Sequence, residues 1–331
     1  MKSGAANWVA TRGAGLGLSL LVAVVATLAQ KVLGGATMVY ALLLGIALHA
    51  AGRTPRFAPG VEFCARQVLR FGVALLGLRI TLGDIAVLGW SVALIAIGAV
   101  VLTLTGGYAI ARACRLAPPF AMVTAGAVAI CGASAALAVA AVLPQGETAE
   151  RRTLLTIVGV TSLSTVAMVA YPIIADLLQF NDQTAGVFLG ASIHDVAQVV
   201  GAGYTVSNAA GETATLVKLM RVACLVPAVL VIAWLFRDPS TETGKTPGLP
   251  TFLIGFVVLM LINSSGLVPD TIVAPFVTLA GQLLVLAVAA LGLKTSLRGL
   301  ASLGVMPLAA MLGQTLMLGV AVAGVLSLIS G

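Results

Sequence analysis

Two short runs in this 331-residue chain hold residue types able to bind anions and move protons, and both lie inside otherwise apolar sequence. The first is Ile130-Cys131-Gly132-Ala133-Ser134. The second is Leu189-Gly190-Ala191-Ser192-Ile193-His194-Asp195, with Gln198 one turn further on. Glycine lets the chain unwind, and serine can cap a half-helix whose first backbone N–H groups have no partner. Such N-termini hold anions through their amides and the helix dipole. The other use of a Gly-Ala-Ser tip is close helix packing through small residues.

His194 and Asp195 are the only adjacent ionisable pair deep in an apolar segment, where ionisable groups are costly and mark function. His194 titrates near neutral pH, so it can carry a coupling proton or donate to an anion. Asp195 can share the coupling role or merely stabilise a helix start, since Ser192-x-x-Asp195 has the spacing of a capping box. Lys218 and Arg221 stand three apart on one helix face. Lys218 is near enough to the segment end to snorkel, whereas Arg221 lies deeper. Together they suit a divalent oxyanion, the arginine through its forked donors. The expected substrate-contacting set is therefore Cys131, Gly132, Ala133, Ser134, Gly190, Ala191, Ser192, His194, Gln198, Lys218 and Arg221, with His194 and Asp195 as coupling residues. No metal or cofactor site is expected: Cys64, Cys114, Cys131 and Cys224 are scattered, with no CxxC pair.

The elements that must hold these residues are membrane helices. Hydrophobic residues make up 60% of the chain and charged residues 9%, against roughly 25% charged in a soluble protein. Lipid must therefore solvate most of the exterior. The net charge of +7 reads as Lys and Arg in short cytoplasmic loops rather than a nucleic-acid surface. Apolar segments recur at about 14–33, 37–51, 66–80, 86–112, 118–143, 153–178, 184–206, 214–236, 250–267, 271–293 and 303–329, nine to eleven of them able to enter a membrane that needs roughly 20 apolar residues to cross. Lys2 and Arg12 before the run 16–29 resemble a signal peptide, but further apolar segments follow at once, so this reads as an uncleaved first transmembrane helix. The stretch 238–250 reads as a linker.

Two ordered pairs of similar sequence indicate an internal duplication. Ala74-Leu-Leu-Gly-Leu-Arg79 recurs as Ala289-Ala-Leu-Gly-Leu-Lys294, preceded by His49-Ala-Ala-Gly52 and Asn263-Ser-Ser-Gly266 respectively. Thr124-Ala-Gly126, Gly132-Ala-Ser134 and Gly146-Glu-Thr-Ala149 recur as Thr184-Ala-Gly186, Gly190-Ala-Ser192 and Gly211-Glu-Thr-Ala214. Arg79 and Lys294 end equivalent helices, where interfacial anchoring is as good a role as a functional one. Basic loops at Arg53–Arg70, Arg112/Arg115, Arg151-Arg152, Arg237/Lys245 and Lys294/Arg298 all fall inside if 118–143 and 184–206 each enter and return. The expected architecture is then an all-α membrane protein forming a single polytopic domain over 1–331. It has an extra N-terminal helix (1–33), a first repeat (34–178) and an inverted second repeat (179–331). Each repeat carries one discontinuous or re-entrant helix with a Gly-Ala-Ser tip.

On Gly190-Ala-Ser-Ile-His194-Asp195-Val-Ala-Gln198, Val217-Lys218-Leu-Met-Arg221-Val, Leu76-Gly-Leu-Arg79 and Ile130-Cys-Gly-Ala-Ser134, the chain resembles the YeiH-type sulfate exporter family of bacterial inner-membrane proteins. The likeness runs over nearly the full length. It implies a place in the wide superfamily of sodium/proton antiporters and bile-acid symporters, with inverted repeats and paired discontinuous helices that cross fully in several relatives. The expected function is secondary active transport of a small anion, sulfate or a related oxyanion, exported by alternating access with H+ or Na+ as coupling ion. The expected setting is the bacterial inner membrane, with lipid and a homo-oligomer as partners and no nucleic acid. A passive anion channel shares the basic lining. An intramembrane hydrolase built on Ser134 or Ser192 with His194 lacks an HExxH motif and a catalytic aspartate pair, so no enzyme activity is expected.

Overall fold

The computed structural model describes residues 2–33, 37–144, 148–236, 251–294 and 304–330, and no strand occurs among them. In chain order the helices are α1 (Lys2–Leu33), α2 (Thr37–Ala47), α3 (His49–Gly52), α4 (Ala58–Phe63), α5 (Leu69–Leu75), α6 (Leu82–Ala113), α7 (Pro118–Ala129) and α8 (Ala133–Val142). They continue with α9 (Ala149–Leu177), α10 (Asp182–Ser192), α11 (Val196–Val206), α12 (Asn208–Ala223), α13 (Leu225–Leu235), α14 (Thr251–Ser264), α15 (Asp270–Lys294) and α16 (Val305–Ser330). Six runs are long and apolar enough to cross a membrane: Thr11–Leu33, Gly89–Ala113, Arg151–Leu177, Asn208–Leu235, Thr271–Lys294 and Val305–Ile329. The chain is an all-α membrane protein. Residues 145–147, Arg237, Lys245, Arg298 and the 238–250 linker, all used in the sequence reading, lie outside the described residues.

The short segment expected at 66–80 is longer than its hydropathy indicates. A π-helical turn (Cys64–Val68) joins α4 to α5, and a 3-10 turn (Leu76–Arg79) extends α5. Ala58 to Arg79 thus makes one helical run of roughly 33 Å, at about 1.5 Å per residue, enough for the hydrocarbon layer.

The chain divides into two compact units, and each draws on both sequence halves. The first comprises Met1–Leu88, Val200–Glu212 and Pro250–Ser296. Its helices meet backbone to backbone at glycines. A Cβ on Gly45 of α2 would lie 2.5 Å from the Ala289 carbonyl oxygen, and one on Gly292 of α15 would lie 2.6 Å from that of Leu42. A Cβ on Gly77 would run into the Phe256 carbonyl oxygen and lie 3.2 Å from the Leu259 Cβ of α14. Any larger side chain would separate these helices. At the ends of the same runs, Arg79 pairs with Glu212 at 2.6 Å and Lys294 with Glu62 at 2.5 Å, the latter also bound by Arg66.

The second unit comprises Gly89–Val199, Thr213–Leu249 and Leu297–Gly331. Here α7 and α8 fold back on one another. The nearest atom to a Cβ built on Gly126 would be a Val139 methyl, at 2.8 Å. Along one straight helix these residues would stand about 20 Å apart, so the chain reverses direction between them. α10 and α11 are likewise separated by a break, with Ile193 extended (φ −73, ψ 143). Tyr171 of α9 packs its ring on Phe188 of α10 with centroids 5.2 Å apart. Thr156, Ser162, Ser164 and Thr165 of α9 are buried.

Candidate functional site

Both breaks lie in the second unit, and each has the same parts: a short helix that stops, an unwound link, and a second short helix. α7 ends at Ala129, and Ile130 leaves the helical region (φ −116, ψ −84). Gly132 then takes φ 67, ψ −124 as the residue preceding α8, a conformation open to glycine and strained for any side chain. Cys131 is buried in the link, Ala133 is half-buried, and Ser134 is exposed on the first turn of α8. The first amides of α8 have no carbonyl four residues back within their own helix.

The second break is arranged differently from the capping-box expectation. Ser192 is the last residue of α10, and its hydroxyl donates to the Phe188 carbonyl at 2.5 Å. Gly190 and Ala191 therefore belong to a helix end, not a helix start. Asp195 itself caps α11: its Oδ1 accepts from the Ala197 amide at 2.9 Å, while its own amide donates to Ser164 Oγ at 3.1 Å. A serine hydroxyl turned back to its i−4 carbonyl is held on its own helix, which leaves the accepting role at the start of α11 to the Asp195 carboxylate. The two breaks meet where a Cβ on Gly132 would lie 3.7 Å from Asp195 Oδ2.

Lys218 and Arg221 of α12 are wholly buried, and their donors end on the carbonyls that the breaks leave open. Arg221 Nε donates to Ala129 at 3.1 Å. Its Nη1 donates to Gly190, Ala191 and Ile193 at 3.3, 2.6 and 3.1 Å, and its Nη2 to Val128 and Ala129 at 3.0 and 2.5 Å. Lys218 Nζ donates to Ile130 at 2.5 Å and Ile193 at 2.8 Å, one carbonyl from each break. All three guanidinium nitrogens are thus committed to the C-terminal ends of α7 and α10. The sequence reading aimed that fork at a ligand; the unpaired carbonyls of two helix ends claim it first, because they otherwise have no donor. Among the described residues no carboxylate oxygen comes within 4.0 Å of either cation.

His194 is also wholly buried. Its Nε2 lies 2.9 Å from Thr315 Oγ1, and that hydroxyl donates its one hydrogen to the Met311 carbonyl at 2.8 Å. Its Nδ1 has no partner among the described residues, so one ring nitrogen is left unused by the surrounding protein in either tautomer. Gln198, 2% exposed, likewise has an Oε1 without a partner. Thr315, Gln314 and Ser164 were missed by the sequence reading. Gln314 is buried and donates to the Gly107 carbonyl and Thr124 Oγ1 at 2.9 and 3.1 Å. The available signals were Gln314-Thr315 and Ser164-Thr165, adjacent polar pairs inside apolar segments. Arg79 and Lys294 are not part of this site; both are ion-paired in the first unit. Among the described residues there is no group of three His, Cys, Asp or Glu side chains able to hold a metal.

Comparison with known proteins matches the chain over residues 14–311 to the family model described as conserved hypothetical protein 698. It is 45% identical over 295 residues to a UPF0324 membrane protein of Chlorobaculum tepidum, covering 88% of this chain and 82% of that protein. It is 50% identical over 305 residues to the UPF0324 membrane protein TauZ of Paracoccus denitrificans, covering 89% of each. A UPF0324 membrane protein of Rhizobium meliloti is 44% identical over 300 residues, covering 89% of this chain and 87% of that one. No solved structure matches.

Proposed function

The chain belongs to the UPF0324 (conserved hypothetical protein 698) family and is a multi-pass protein of the bacterial inner membrane, and from that premise we propose that it is a secondary transporter carrying a small anion. The observation that carries this reading is a pair of wholly buried cations, Lys218 and Arg221, without a carboxylate within ion-pairing distance among the described residues. Uncompensated charge at membrane depth is costly and is kept where an ion passes. The C-termini of α7 and α10 supply about half a negative charge each, which leaves one positive charge for a ligand. The anion seat is the first turn of α8 at Gly132, Ala133 and Ser134, beside the start of α11. The cations act on it through their field rather than by direct donation. Sulfate or a related oxyanion is the substrate class, with alternating access as the mechanism.

The inverted-repeat reading is supported by matching contacts in the first unit. Gly77 and Gly292 stand at equivalent places in the repeated Leu-Gly-Leu-Arg/Lys motif. Each meets a helix from the other half: Gly292 meets the carbonyl of Leu42 beside Gly45, and Gly77 meets the carbonyl of Phe256 beside Leu259. With the preceding turns aligned His49 to Asn263, Leu42 falls on Phe256 and position 45 on position 259. The loop at Glu212 carries no Lys or Arg and so reads as outside, and the Arg79–Glu212 and Lys294–Glu62 pairs agree with that and with the Arg53–Arg70 loop inside. Opposed repeats of this kind rock about a fixed midplane site in secondary transporters.

The test is counterflow of labelled sulfate into proteoliposomes, competed in turn by sulfite, sulfonates and carboxylates. A carrier exchanges label against an unlabelled internal anion. Conduction unaffected by internal anion makes the protein a channel, and no counterflow with any of these anions rejects the reading.

A further inference from the structure

We infer that the preferred ligand of this site is a singly charged oxyanion that brings an O–H donor of its own, as a hydroxyalkanesulfonate does, and that Asp195 is the residue selecting it. This rests on the anion-carrier reading above and narrows its substrate class, with sulfate as a weaker ligand of the same seat.

The seat is bordered by acceptors where a bare anion calls for donors. Asp195 spends one carboxylate oxygen on capping α11, its Oδ1 accepting from the Ala197 amide at 2.9 Å. Its Oδ2 accepts from no donor among the described residues, and stands beside Gly132, where α8 begins. Asp195 is half-buried and Oδ2 keeps open surface. Gln198 supplies the second acceptor. In a capping box the side chain three residues past the cap reaches back to the cap residue's own amide, and Asp195-Val196-Ala197-Gln198 has that spacing. Here Ser164 Oγ has taken the Asp195 amide at 3.1 Å. Gln198 Oε1 is left buried, without a partner among the described residues. A buried acceptor with no donor costs free energy, and a donor on the ligand removes that cost.

Sulfate offers oxygens alone, so it leaves both acceptors unserved and sets a second negative charge near the Asp195 carboxylate. A ligand with a hydroxyl group puts its oxyanion end on the first amides of α8 and donates its O–H to Asp195 Oδ2. Hydrogen bonds to an ionised acceptor are the strong ones. Charge counting agrees. Lys218 and Arg221 together carry +2, against about −1 from the C-termini of α7 and α10 whose carbonyls they bind. Asp195 carries −1 at the starts of α11 and α8, which together present about +1 and favour its carboxylate form. The sum is about +1. One singly charged anion balances it, and a dianion overshoots.

The experiment is calorimetric titration of the full chain in nanodiscs with 2-hydroxyethanesulfonate, ethanesulfonate and sulfate at pH 7. The first two differ only in the hydroxyl group. The hydroxylated sulfonate should bind at least about tenfold more tightly than ethanesulfonate, the size of one hydrogen bond to a charged group, and sulfate more weakly than both. Asp195→Asn keeps the cap, because asparagine caps as well as aspartate. Its Oδ1 stays on the Ala197 amide, which sets N–H donors where Oδ2 stood. In that variant the hydroxyl advantage should vanish, and sulfate should gain at least about tenfold with a like charge removed from beside it. Equal affinity for the two sulfonates in the parent overturns the inference, as does sulfate binding more tightly than ethanesulfonate. So does an unchanged order of affinities in Asp195→Asn with a parental size-exclusion profile. The parent comparison decides the matter even where the variant fails to fold. Absence of binding by all three anions overturns the carrier reading instead.

Discussion

Replacing Arg221 with glutamine separates a residue that holds the fold from one that holds the substrate. Arg221 donates to five carbonyls, those of Val128, Ala129, Gly190, Ala191 and Ile193, two of them through short bonds of 2.5 Å (Ala129) and 2.6 Å (Ala191). A hydrogen bond from a charged group is worth about 1.5–3 kcal/mol. Counting only the two short bonds gives roughly 3–6 kcal/mol, and removing a buried charge returns part of that as relieved desolvation. A net loss of about 3–5 kcal/mol is expected, a large share of the roughly 5–15 kcal/mol that holds a native fold. Purified variants are heated in one detergent, and the monodisperse fraction is read by size-exclusion chromatography. Arg221→Gln should lose its monodisperse peak many degrees below the parent. Arg221→Lys should fall between them, since one nitrogen cannot reach the ends of both α7 and α10. A parental melting midpoint for Arg221→Gln, coupled to weakened sulfate binding, would refute the reasoning and return the guanidinium to the ligand.

Three further outcomes are expected. Gly45→Val and Gly77→Val should each destabilise by about 1–3 kcal/mol through overpacking, read by the same heating assay; Gly17→Val, with open space around it, should be neutral, and an unchanged midpoint for both of the first two would refute the close crossings. Gly132→Ala should cost about 1–3 kcal/mol of backbone strain and slow sulfate counterflow, because φ 67 is held open only by glycine; parental activity and midpoint would mean this link is not strained. Thr54→Cys and Gln183→Cys, each in a chain lacking Cys64, Cys114, Cys131 and Cys224, should label from the cytoplasmic and outer faces respectively; labelling from one face would reject the assigned topology.

What the sequence determined by itself was the solvent and the location of the breaks. A chain with 60% hydrophobic and 9% charged residues cannot cover a soluble surface, so membrane helices follow from composition alone. Glycine-bearing runs inside apolar segments marked both interruptions, because a helix unwinds where side chains permit it. The meaning of each residue at a break was decided only in three dimensions. Ser192 looked like a cap for the helix that follows it, yet its hydroxyl turns back to Phe188 and Asp195 takes that role; local spacing allows either bond, and the direction of the neighbouring helix selects one. Lys218 and Arg221 read as ligands because sequence shows charges and not the backbone carbonyls around them. Those carbonyls come from positions 128–130 and 190–193, far from α12 along the chain, and every residue type offers one. The helix ends that need Arg221 exist only once two breaks are folded beside α12, which tertiary packing alone brings about.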